Sequence, residues 1–138
     1  MNLVHGDPLA MTQGVYPILW VENVDSSAAW YETVLEFQVV NHGGQFAECR
    51  RGSCRLGLHP AADLSPWPGK ETQAKGVGME LALSIDGLDA FYSRLRSSGR
   101  VEIVSPLREH AEAGLLEFKV RDPDGFLLSF QSAVSIHA

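Results

Sequence analysis

The chain has 138 residues, 45% of them apolar, enough for one compact domain with a real core. Its formal charge of −6 lacks the basic footprint of a general nucleic-acid binder and suits either plain solubility or a cationic small molecule. No run approaches the roughly 18 apolar residues of a membrane span, the first fourteen residues do not form a secretory signal, and two cysteines give neither a disulfide framework nor zinc spacing. The cytoplasm is the expected location.

In chain order, residues 1–14 read as a loose arm with a turn at Gly6–Asp7–Pro8. A strand is expected over Tyr16–Val21. A helix follows, capped by Asp25 or Ser26, carrying Ala28, Ala29, Trp30, Tyr31 and Leu35 to about Phe37. Three short strands come next, Phe37–Asn41, Gln45–Arg50 and Ser53–His59, the last two joined at Arg51–Gly52. Residues 60–78, with Pro60, Pro66, Pro68, Gly69, Gly76 and Gly78, read as a linker. Beyond it the pattern predicts a strand Met79–Ile85, a helix opened by Asp89 and ending near Ser98–Gly99, and strands Val101–Ser105, Leu115–Arg121 and Phe126–Ser132. His110–Gly114 reads as an irregular loop. Asp122–Pro123–Asp124–Gly125 is a hairpin turn, because proline presets φ and glycine supplies a positive φ.

Val15–Asp25 reappears in changed letters as Met79–Asp89: an apolar run, a polar break, then a helix opened by an acid. The whole is therefore expected to be one α+β domain over residues 1–138, in which two βαβββ modules (about 15–59 and 79–132) form a curved mixed sheet around a cavity.

A doubled βαβββ unit closed by a strand–DPDG–strand hairpin resembles the vicinal oxygen chelate superfamily, which includes glyoxalase I, fosfomycin-resistance enzymes, extradiol dioxygenases and bleomycin-resistance binding proteins. The segment Trp30–Tyr31–Glu32–Thr33–Val34–Leu35–Glu36–Phe37 is similar to the family's aromatic-Tyr…Leu-Gly-Phe helix end, with Glu36 where the family usually has glycine. The resemblance implies a divalent-metal site with one ligand from the opening and one from the closing strand of each module. Here those positions hold Tyr16, Gly57, Glu80 and Ser129. Such an ion wants about three carboxylate, imidazole or thiolate ligands, and only Glu80 qualifies. No metal and no other cofactor is expected. The five histidines, His5, His42, His59, His110 and His137, are scattered. His59, two residues past Gly57 on the same strand face, is the one that could rebuild a shifted site with Glu80.

Strand alternation assigns the faces. Tyr16, Ile18 and Trp20 share the cavity face with Arg55, Gly57 and His59, as do Glu80, Ala82 and Ser84 with Leu127, Ser129 and Gln131. Leu19, Val21, Leu56, Leu58, Leu81, Leu83, Leu128 and Phe130 turn to the helices. Phe46 and Glu48 have cavity-side parity, and Trp67 lies in a linker that could cover the mouth. Trp20 offers a stacking platform for a ring or a cation, its competing reading being a plug for the cavity. Glu80 could hold an amine, act as a base, or pair with Arg55 across the cavity. Cys49 and Cys54 fall on the helix side as small hydrophobes, with a redox switch across their hairpin as the alternative.

The resulting expectation is a metal-independent small-molecule binder similar to the bleomycin-resistance branch, an acidic homodimer that sequesters a cationic aromatic ligand. Trp20, Phe46 and Trp67 would stack, Glu48 and Glu80 would supply charge, and Tyr16, Arg55, His59 and Ser129 would complete the site, with no catalytic residue assigned. The alternative is a metal-dependent lyase or dioxygenase of glyoxalase type built on Glu80 and His59.

Overall fold

The computed structural model describes residues 14–43, 45–63 and 76–134. In order the elements are β1 (Ile18–Val21), α1 (Val24–Thr33), β2 (Gln38–His42), β3 (Ala47–Arg51) and β4 (Cys54–Pro60), then a 3-10 turn at Ala61–Asp63. The second module repeats the series with β5 (Leu81–Ser84), α2 (Leu88–Ser98), β6 (Glu102–His110), β7 (Leu115–Arg121) and β8 (Leu127–Ala133). The α+β class and both βαβββ modules are as expected. Hydrogen bonding divides the strands into two four-stranded sheets, ordered β1-β4-β3-β2 and β5-β8-β7-β6. In each, the opening strand runs parallel to the closing one and the remaining pairs are antiparallel.

The helix starts differ from expectation. The Asn23 side chain caps α1 by accepting from the Ser26 N–H at 2.9 Å, so neither Asp25 nor Ser26 is the cap. Helix α2 begins directly after Gly87, which sits at φ 67° without a side-chain cap, rather than at Asp89. It closes on Gly99, also left-handed, the conformation that glycine adopts without a Cβ clash. Helix α1 stops at Thr33, short of Phe37.

Period-two alternation sorts the side chains as the sequence implies. Leu19, Val21, Leu56, Leu58, Leu128 and Phe130 are buried against the helices. There they meet Tyr31 and Leu35 near α1, and Phe91 and Leu95 on α2. Each such Leu or Phe contributes on the order of 1.5–3 kcal/mol by leaving water. Helices cover one face of each sheet; the other is left open.

The modules dock reciprocally, hairpin against helix. Tyr31 Oη donates to Asp122 Oδ2 at 2.8 Å, and Asp124 accepts from the Glu22 N–H (2.9 Å) and Ser27 Oγ (3.3 Å). The Asp122 Oδ1 atom meanwhile accepts from the N–H groups of Asp124 and Phe126, which fixes the turn itself. From the other side, the Arg51 guanidinium lies over the Phe91 ring at 4.6 Å, and Arg94 makes a two-pronged pair with Glu36 at 2.7 and 2.8 Å. Trp30, one of the helix aromatics, donates its indole N–H to Arg100 O.

Candidate functional site

On the open face of the first sheet, the register Ile18–Gly57 and Trp20–His59 brings the β1 and β4 side chains abreast. His59 stands between two rings. Trp20 tilts against it at a centroid distance of 5.2 Å, and Phe46 stacks on it at 5.9 Å. All three are partly exposed. Beside them the Arg55 guanidinium lies 3.9 Å over the Tyr16 ring, a cation–π contact. Arg55 and Arg50 both pair with Glu48, at 2.6 and 2.8 Å, and their hydrogen bonds hold its carboxyl down at about 2. Tyr16 and Arg55 also line a cleft of about 900 Å³ between the modules, whose other wall includes Ala82, Ser84 and Asp86.

The four positions that the resemblance marks for a metal do not suit one. A Cβ on Gly57 would meet Ile18 at 3.3 Å and the Tyr16 ring at 3.6 Å, so neighbouring side chains fill the place of a ligand there. Glu80 is tied to Lys119 at 2.8 Å. Ser129 is fully buried and donates its hydroxyl to Glu117 at 2.7 Å. Among the described residues no three His, Cys, Asp or Glu side chains converge to hold an ion. A neutral phenol, a glycine and a committed serine leave a single carboxylate, which falls short of the ligand count a divalent ion needs.

Several expectations are corrected. The Glu80–Arg55 pair does not form, because each has a nearer partner on its own sheet, Lys119 and Glu48. Among the described residues no third donor joins His59 and Glu80, and His59 packs between rings. Cys49 sits opposite Leu56 and Cys54 opposite Arg51, so the cysteines are not partners across the hairpin. Burial pushes the Cys49 thiol up to about 11 and also raises Cys54, the reverse of a reactive thiol. His110 ends β6 instead of opening an irregular loop. Trp67, His5 and His137 lie outside the described residues.

The second sheet's open face carries an acid, Glu117, that sequence reasoning passed over. Glu117 accepts from Ser129 Oγ at 2.7 Å and Gln131 Nε2 at 2.8 Å, and His110 Nε2 is 3.0 Å from its other oxygen. Burial opposes ionisation of Glu117, yet those hydrogen bonds and the charges of Lys119 and His110 outweigh it and lower its pKa. A signal was available: counting back from the Asp122–Gly125 turn pairs Arg121 with Leu127, Lys119 with Ser129 and Glu117 with Gln131.

A family model described as the Glyoxalase/Bleomycin resistance protein/Dioxygenase superfamily matches residues 11–130. Among solved structures, TioX from Micromonospora sp. ML1 is 17% identical, with a TM-score of 0.70, over 91% of this chain and 100% of that one. A glyoxalase/bleomycin resistance protein/dioxygenase from Nocardioides is 18% identical, with a TM-score of 0.71, over 91% of this chain and 87% of that one. A protein of unknown function from Agrobacterium tumefaciens str. C58 is 23% identical, with a TM-score of 0.72, over 89% and 95% of the two chains. At these identities the likeness is one of fold. The comparison with curated proteins finds no match.

Proposed function

Since the chain belongs to the glyoxalase/bleomycin resistance protein/dioxygenase superfamily, we propose that it uses the fold to bind a small planar molecule without a metal and without transforming it. The observation that carries this reading is the Trp20–His59–Phe46 cluster, three partly exposed rings on an open sheet face next to metal positions whose side chains do not suit an ion. Aromatic platforms of this kind hold a flat ligand by offset stacking, worth about 0.5–1.5 kcal/mol beyond the area buried. Glu48 and Glu80 are already paired with arginine and lysine, so the ring of the ligand, more than its charge, is what this surface recognises. The net charge of −6 still favours cationic ligands at a distance.

In this reading the protein sequesters a drug or metabolite in the cytoplasm as a homodimer, the second copy enclosing the open face. Tyr16 and Ile18, 40% and 41% exposed, are apolar surface that such a copy would cover. No helix among the described residues is long and apolar enough to cross a membrane.

The test is a fluorescence titration with a panel of planar aromatic drugs and dyes in excess EDTA. At least one member should bind saturably, unaffected by the chelator, and Trp20→Ala should weaken it about tenfold, equivalent to ~1.4 kcal/mol. Binding that EDTA abolishes, or that is indifferent to Trp20, contradicts the proposal.

A further inference from the structure

We propose that the open face of the first sheet is a site for flat aromatic acids, in which Arg55 and Arg50 take the carboxylate of a ligand whose ring lies on Trp20, His59 and Phe46. The inference rests on the ring-platform reading above and adds to it the sign of the ligand's charge.

Strand register lays this face out in rows. Trp20 stands beside His59, and Phe46 stacks on the same imidazole. Two residues along, Ile18, Gly57 and Glu48 lie abreast. Two further along, Arg55 is opposite Arg50, and the Arg55 guanidinium covers the Tyr16 ring at 3.9 Å. Successive rows are about 6.6 Å apart, so a two-ring acid reaches from the aromatic row to the cationic one. The two arginines meet at one oxygen, Glu48 Oε2, at 2.6 and 2.8 Å. Two guanidinium groups sharing one carboxylate leave the cluster positive. Their hydrogen bonds hold the Glu48 carboxyl at about 2, so it stays ionised near neutrality.

Donors remain for a ligand. A guanidinium has five N–H bonds; Arg50 gives Glu48 its Nε, and Arg55 its Nε with one terminal nitrogen at 3.4 Å. The Arg50 and Arg55 side chains are 50% and 41% exposed against 15% for Glu48, so an arriving molecule meets the cations before the acid. Arg55 and Tyr16 also line the cleft of about 900 Å³, which gives the head group room; Asp86 on the other wall turns an anion toward the Arg55 side. A guanidinium fork matches a carboxylate in plane and spacing, whereas an ammonium would meet like charge. The chain's net charge of −6 acts from a distance and is screened beyond about 8 Å in physiological salt. At contact, the local cations decide.

Three naphthalenes that differ only in head group test the proposal: naphthoate, naphthamide and naphthylmethylamine, titrated calorimetrically at neutral pH in low salt. The acid should bind about fivefold more tightly than either of the others. Arg55→Gln and Arg50→Gln should each narrow that gap. Glu48→Gln, which leaves two cations without a carboxylate, should widen it, and these opposite signs keep the test readable where one variant disturbs the fold. Equal affinities, or a preference for the amine, that Trp20→Ala still weakens would overturn the charge assignment and leave the platform standing. A preference for the acid that survives both arginine variants would overturn it too. Binding indifferent to Trp20→Ala would remove the platform and this inference with it. Binding of none of the three would overturn the inference alone, the drug panel above then deciding the platform.

Discussion

Glu117 is an acid that burial disfavours and its neighbours rescue. Ser129, Gln131, Lys119 and His110 together lower its pKa below the ordinary value, which is near 4.3. A depressed folded-state pKa means stabilisation that is present above the unfolded value and is lost as pH falls through the folded one. Wild-type protein should therefore lose melting temperature below about pH 4.3 more steeply than Glu117→Gln, in thermal scans across the acid range. Parallel acid limbs would show that the carboxylate contributes nothing to folding. Asp122 runs the other way: burial raises its pKa despite the Tyr31 hydroxyl and the turn N–H groups that hold it. Its contribution is greatest in acid and weakens as pH rises through its own value. Which face a side chain takes was legible in the sequence wherever parity decided it, as with Trp20 and His59. Which acid meets which base was not, since Glu80 lies within reach of several cations on paper and only lateral strand register assigns it Lys119.

At the scale of elements, the α1 exit shows how the chain copes without the glycine usual in its family. Glu36 adopts φ 65°, a left-handed conformation that costs a non-glycine residue roughly 1–2 kcal/mol. Its carboxylate is fastened by Arg94 and more loosely by Arg51 at 3.4 Å. The side chain is 38% exposed, so those pairs offset only about 0.2–1 kcal/mol. Glu36→Gly removes the strain but also loses the pairs and gains unfolded-state freedom of about 0.5–1 kcal/mol, leaving stability close to wild type. Glu36→Ala keeps the strain and loses the pairs. Urea denaturation should rank glycine above alanine by about 0.5–1 kcal/mol; the reverse order would mean that the backbone there is not strained. Strand β6 was the element least visible beforehand. The strand expected over Val101–Ser105 continues past Pro106 to His110. As an edge strand with register shifts on both sides of Ser105, it can place a proline where no ladder hydrogen bond is required. That extension carries His110 to Glu117. The helix starts were misplaced for a simpler reason: several polar residues stand near each, and only geometry picks Asn23 from among them at the first and a glycine without a capping side chain, Gly87, at the second.

Across the whole molecule, two similar modules have diverged in what their open faces offer. One presents rings, the other a buried carboxylate and an imidazole, and the hairpin of each is clamped by the helix of the other through Tyr31–Asp122 and Arg51–Phe91. The repeat and the turn motif announced this architecture from sequence, because strand period and turn chemistry are local properties. The division into two sheets depends on which strand edges meet, which no local pattern reports. At positions that the resemblance marks for a metal, this chain places a tyrosine ring beside Gly57, a serine bound to Glu117 and a glutamate bound to Lys119. The most direct test of the account is elemental analysis after incubation with Mn, Fe, Co, Ni or Zn and desalting. Below about a tenth of an equivalent of every metal is the predicted result, against the near-full occupancy a real site retains. One equivalent, lost on Glu80→Ala, would contradict it.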